Sequence, residues 1–188
     1  MPPVSERLIK GDKRALSKAI SMLERGDIHG ADLMREVHSH TGRAFCIGIT
    51  GPPGAGKSTI VARLTDTFRE KKFSVGILAV DPTSPYSGGA LLGDRIRMEP
   101  HYLDPGVFIR SMATRGNHGG LPRITKSVVR LLDAAGKDIV LVETVGVGQT
   151  ELDIMGVADT VVVTLVPEGG DAIQVLKAGL MEIADIYL

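Results

Sequence analysis

A three-layer α/β fold with a mostly parallel sheet follows from three features of the sequence. From Arg43 onward, short apolar runs rich in Val and Ile alternate with stretches of helical periodicity. The runs are continuously apolar, as strands covered on both faces are. Gly-containing turns punctuate them, and such alternation winds into parallel strands joined by right-handed crossovers.

Residues 1–42 read as a small N-terminal helical extension, and 43–188 as the domain proper. In the extension Leu16, Ile20 and Leu23 share a face at helical spacing, Gly26 can end that helix, and a second short helix fits 31–38. Packing or partner docking is its default role. Strands are predicted at 44–49, 74–80, 107–110, 138–143, 159–166 and 184–188. Helices fit 57–71, 121–135 (Ile124, Val128, Leu131 and Leu132 in line) and 171–184 (Ile173, Leu176, Leu180 and Ile183 in line). Ligands of such sheets bind at the carboxyl ends of the strands, where the motifs below fall.

The 188 residues suit one domain, and 43% hydrophobic content with 4% aromatics and no Trp predicts an aliphatic core. Twenty-two basic residues balance 22 acidic ones, which gives no reason to expect nucleic-acid or anionic-membrane binding. The single cysteine, Cys46, lies in an apolar run and reads as a buried structural thiol in a reducing compartment. No secretory signal pattern opens the chain and no apolar run approaches the ~20 residues of a membrane span. A soluble, cytoplasmic protein is expected.

Gly51-Pro52-Pro53-Gly54-Ala55-Gly56-Lys57-Ser58, followed by Thr59, carries the whole G-x-x-x-x-G-K-[ST] pattern between a strand and a helix. The glycines let successive N–H groups turn inward, and the helix adds its positive end. Lys57 would reach the β- and γ-phosphates of a nucleotide, and the Ser58 hydroxyl would ligate Mg²⁺. The fold class is therefore a P-loop NTPase three-layer sandwich preceded by the helical extension. Two more apolar strands end in carboxylates, Asp81 and Glu143, where Mg²⁺ or its waters need oxygen ligands. Gly146 follows Glu143 by three residues and offers a backbone N–H to the γ-phosphate, so 144–150 reads as a switch. In the Pro- and Gly-rich stretch 81–98, Asp94 is a candidate metal or water-positioning ligand and Arg95 a candidate charge stabiliser. The five histidines show no metal-ligand spacing, and His38, His40 and His118 read as solvated.

The motifs at 51–59, 80–85, 93–98, 142–149 and 169–171 resemble those of the MeaB/ArgK G-proteins, GTPase chaperones of adenosylcobalamin-dependent acyl-CoA mutases such as methylmalonyl-CoA mutase. The resemblance covers almost the whole chain, including 7–24. It implies GTP/GDP as ligand, Mg²⁺ as cofactor, and slow hydrolysis that gates cobalamin loading or protection of the mutase. Lys57, Asp94, Glu143 and Gly146 would serve catalysis, with Ser58, Asp81, Asp94 and Glu143 around the metal. Asp171, Gln174 and Lys177 match a third switch that faces the mutase. The chain stops at Leu188, before the Asn-Lys-x-Asp element that reads guanine and before the family's dimerisation arm. The resemblance therefore implies a C-terminally shortened member of a homodimeric family, with guanine preference resting on the resemblance alone.

Two other readings stay open. An ATP-dependent small-molecule kinase shares the P-loop and would use an Arg-rich lid, for which Arg95, Arg97, Arg110, Arg115 and Arg123 are available. A module that holds nucleotide or partner without turnover is the other. A nickel-insertion chaperone would need a His-rich or Cys-His cargo site, which this sequence lacks.

Overall fold

The computed structural model describes residues 2–81, 99–113, 124–144, 154–166, 182 and 184–188. In chain order these form α1 (Val4–Ile9), α2 (Lys13–Glu24), α3 (Gly30–Val37), β1 (Phe45–Thr50), α4 (Lys57–Glu70), β2 (Val75–Asp81), β3 (Val107–Ala113), α5 (Thr125–Ala134), β4 (Ile139–Glu143), β5 (Thr160–Val163) and β6 (Ile186–Tyr187). The helix expected over 171–184 lies almost entirely outside the described residues.

Local chemistry sets the helix ends in the extension. Gly11 takes φ 80° between α1 and α2. Asp12 then caps α2, its carboxylate accepting from Arg14 N–H at 2.8 Å and Ala15 N–H at 3.1 Å. At the other end Gly26, with φ 67°, donates its N–H to Leu23 O and stops the helix as the sequence predicts.

The six strands lie in the order β3-β2-β4-β1-β5-β6, and every adjacent pair is parallel. From β1 the chain first builds β2 and β3 toward one edge, returns to insert β4, then builds β5 and β6 toward the other. The loop after β1 therefore leaves the sheet where the connections diverge, the usual ligand position in such folds. β3 runs past the predicted limit at 110 to Ala113, because its main chain stays paired with β2 through Asp81↔Ala113. Arg110 and Ser111 interrupt the apolar run, and backbone pairing is indifferent to that.

Strand alternation divides the core into two faces. On one, Ile47, Ile49, Ile77, Leu141 and Val162 pack with Val61 of α4, backed by Leu64 and Phe68. On the other, Cys46, Leu78, Val80, Val140, Val142 and Val163 share a cluster with Val128, Leu131 and Leu132 of α5. Leu8, Leu16, Ile20, Leu33 and Val37 belong to that same cluster, so α1–α3 help to cover this face.

Polar contacts tie the extension to the sheet. Asp133 of α5 accepts from the backbone N–H groups of Gly42, Arg43 and Ala44, anchoring the linker into β1. Arg110 of β3 pairs with Glu24 and donates to Ser21 Oγ, both on α2. Cys46 is buried as expected; burial, and secondarily Asp159, push its thiol pKa up to about 12. Among the described residues no helix is long and apolar enough to cross a membrane.

Candidate functional site

β1 ends at Thr50, and the chain turns at once through Gly51, whose φ is 137°. A Cβ at Gly51 would lie 2.3 Å from both the carbonyl oxygen and the hydroxyl of Thr164, so glycine is required there. Gly54 and Gly56 adopt φ near 80°, and Gly56 opens α4 with no side-chain cap. The loop thus curls onto the amino end of α4, whose first-turn N–H groups point along the axis and carry its positive end.

Lys57 is buried, with Nζ donating to the carbonyls of Gly51 and Pro52, each at 2.9 Å. This holds the ammonium against the opening of the loop. One residue on, the Ser58 hydroxyl donates to Glu143 Oε1 at 2.6 Å, with both side chains buried. The contact follows from the sheet. Ile139 and Leu141 of β4 face α4, and alternation puts Glu143 on that same face at the strand's carboxyl end, where α4 begins.

Of the predicted site residues, Gly51, Pro52, Pro53, Gly54, Ala55, Gly56, Lys57, Ser58 and Thr59 form the loop and first helical turn, and Glu143 meets them across the sheet. Asp81 ends β2, two residues beyond Ala79, the register partner of Glu143. Asp94, Gly146, Asp171, Gln174 and Lys177 lie outside the described residues. Arg110, a lid candidate for a kinase, is bound to Glu24 and Ser21 on α2. His101 is buried beside Asp66, with Nε2 3.5 Å from Oδ1.

Sequence reasoning missed three threonines beneath the loop. Thr144 and Thr50 hydrogen-bond through their hydroxyls at 2.8 Å, and the Thr164 hydroxyl donates to Thr50 O at 3.1 Å. Their only sequence signal is position, each closing an apolar strand.

The donor set suits Mg²⁺: a hydroxyl and a carboxylate, both hard oxygens, brought together beside an anion-binding loop. Among the described residues there is no cluster of three His, Cys, Asp or Glu side chains. Mg²⁺ needs none, since it keeps waters and substrate phosphates as most of its ligands.

The family model described as "Methylmalonyl Co-A mutase-associated GTPase MeaB" matches residues 14–188. The chain belongs to the MeaB family. A Pyrococcus abyssi protein with a provisional GTPase name is 55% identical over 183 residues, which are 97% of this chain and 56% of that relative. The GTPase ArgK of Escherichia coli is 36% identical over 97% of this chain and 56% of its own length. The mouse "Methylmalonic aciduria type A homolog, mitochondrial" is 37% identical over 96% of this chain and 47% of its own length. The chain therefore spans about half the length of these MeaB-family relatives.

Among solved structures, a "LAO/AO transport system kinase" superposes with a TM-score of 0.70 at 27% identity, over 98% of this chain and 54% of the other. The signal recognition particle receptor FtsY of Elizabethkingia anophelis reaches 0.53 at 18% identity, over 97% of this chain and 67% of the other, a likeness of fold alone. The α/β P-loop architecture expected from the sequence is the one observed.

Proposed function

We propose that this MeaB-family chain binds GTP with Mg²⁺ and hydrolyses it, gating cobalamin loading or protection of a B12-dependent acyl-CoA mutase in the cytoplasm. The observation that carries the nucleotide reading is the 2.6 Å contact between Ser58 of the loop and Glu143 of β4. It joins a phosphate-binding loop to a buried carboxylate that a bare anion site would not need. The partner reading rests on membership of a family described as methylmalonyl Co-A mutase-associated and on likeness to the mouse methylmalonic aciduria type A homolog.

Phosphoryl transfer requires little covalent chemistry of the protein; position and charge do most of the work. The loop N–H groups and the amino end of α4 hold the phosphates. Lys57 moves from the Gly51 and Pro52 carbonyls to the β- and γ-oxygens and offsets charge as it develops. Ser58 and Glu143 would hold Mg²⁺, with Asp81 and Asp94 as further carboxylates, and Gly146 would donate to the γ-phosphate. When bound, the metal neutralises phosphate charge. Asp171, Gln174 and Lys177 would carry nucleotide state to the mutase.

Thermal stabilisation by GDP, GTP and ATP, each with and without Mg²⁺, tests this reading. Selective stabilisation by guanine nucleotides supports it; an equal response to ATP, or none, overturns it. The neighbour described as a kinase favours a second reading, phosphoryl transfer to an acceptor. Phosphate release from GTP with no acceptor present decides against that one.

A further inference from the structure

We propose that Thr50 is a positioning residue for the phosphate site, acting with Thr144 and Thr164 as a hydroxyl tie that sets Glu143 against the loop. The inference rests on the nucleotide reading above.

The three side chains are almost wholly inaccessible, at 0%, 1% and 1% exposure for Thr50, Thr144 and Thr164. A buried hydroxyl is costly unless hydrogen-bonded, and valine would fill the same volume without that cost. Each of these hydroxyls is used, and all the bonds converge on the residue that precedes Gly51. On one side of β1, register with β4 ends at Ile49↔Glu143, and Thr144 N–H donates to Ile49 O at 3.0 Å. The Thr144–Thr50 hydroxyl contact at 2.8 Å carries the pairing one residue further, to where β1 gives way to the loop. On the other side, Thr164 donates both its N–H (2.8 Å) and its hydroxyl (3.1 Å) to Thr50 O. A carbonyl has two lone pairs, so this one residue of β5's exit fills the acceptor.

Strand alternation gives the arrangement its purpose. Glu143 lies on the α4 face, so Thr144 lies on the opposite face with Thr50. Ser58–Glu143 ties the end of β4 from one side of the sheet, and Thr50–Thr144 ties it from the other. With either tie alone, the strand end could pivot about its axis and swing the carboxylate relative to Ser58. With both, the carboxylate keeps a fixed place beside the loop. Placement at this level matters, because a displacement of about 1 Å can cost on the order of 100-fold in a positioned reaction.

The test compares Thr144→Val, which keeps the shape and loses the hydroxyl, with Thr144→Ser, which keeps the hydroxyl. GDP affinity is measured for each in Mg²⁺ and in excess chelator, alongside a nucleotide-free melt. Thr144→Val is expected to lower the ratio of Mg²⁺-dependent to metal-free affinity by about 3- to 10-fold, the span of one lost hydrogen bond. Thr144→Ser is expected to restore that ratio. A purely structural role would lower the melting temperature and leave the ratio at the parent's value, which overturns the proposal. Equal losses in both variants also overturn it, since shape rather than the hydroxyl would then matter. If Thr144→Val does not fold, Thr50→Val makes the same comparison. Failure of the parent chain to bind any nucleotide overturns the nucleotide reading and this inference with it; parent binding with an unmoved ratio overturns the inference alone.

Discussion

Lys57 and Gly51 show how much of the site rests on single residues. The Lys57 ammonium is buried against two loop carbonyls and is the cation one residue before Ser58. Lys57→Ala removes the charge that would meet the β- and γ-phosphates. Mg²⁺-nucleotide affinity is expected to fall roughly 100-fold, the size of a charge-assisted contact of about 3 kcal/mol. Calorimetric titration checks this, and parent-like affinity would sink the loop assignment. Gly51→Ala acts through the backbone instead. A methyl there meets the Thr164 carbonyl at 2.3 Å, at a φ of 137° that side chains rarely adopt. A loss of about 3 kcal/mol is expected in urea unfolding, and a loss under about 1 kcal/mol would contradict the close approach. These residues were legible in the sequence because their fixed spacing encodes one backbone shape. Glu143 was legible as an acid ending an apolar strand, although its 2.6 Å contact with Ser58 depends on sheet order, which no local pattern carries. Thr50, Thr144 and Thr164 were not legible, because a lone hydroxyl at a strand end is chemically ordinary until the strands are side by side.

Elements were read from the sequence where apolar periodicity is strong, and misread where polar residues interrupt it. β1, β2 and β4 are largely apolar runs and lie within one residue of where the sequence pattern places them. The apolar pattern of β3 ends at Arg110, whose guanidinium meets Glu24 and Ser21 rather than solvent. The packing of α1–α3 was also out of reach, since a helical face states that it is buried without saying against what. Its connection to β1 depends on Asp133, a mostly buried carboxylate of α5 that gathers three successive backbone N–H groups at Gly42, Arg43 and Ala44. Asp133→Ala releases all three. Gly42 and Arg43 are exposed, so water takes up part of the loss, and destabilisation of about 1–2 kcal/mol is expected. The check is a urea midpoint that falls at unchanged slope. An unchanged midpoint would show that the linker is held by apolar packing alone.

At the scale of the whole sheet, the carboxylates Asp104 and Asp138, made more acidic by folding, stand at the end opposite the loop. The loop and Glu143 sit at the carboxyl ends of the strands, whereas Asp104 and Asp138 precede β3 and β4 at their amino ends. The Arg69 side chain holds the Asp104 carboxyl below its ordinary value of 3.8, and the Ser74 hydroxyl and N–H do the same for Asp138. In the extension, Arg7 lowers Asp12 in the same way. A carboxylate depressed on folding binds fewer protons in the native state than in the unfolded one between its native value and 3.8. Its stabilisation is complete above 3.8 and disappears as pH falls through the native value. Lys137 works at the alkaline end. Burial chiefly lowers its pKa below 10.5, so the native state again binds fewer protons, and stability rises with pH as that amine deprotonates. Both effects slope the same way, upward with pH, in two separate windows. The urea midpoint should therefore fall as pH drops from about 5 toward 2. Asp104→Asn and Asp138→Asn should flatten that acid limb, while Lys137→Met should remove the alkaline rise and, because the Lys137 charge also helps to hold Asp138 down, shallow the acid limb only slightly. Because these groups stand at the far end of the sheet, none of the three substitutions should alter Mg²⁺-nucleotide affinity at neutral pH by more than about two-fold, given the additivity of distant sites. A larger change would show that the two ends of the sheet are energetically coupled.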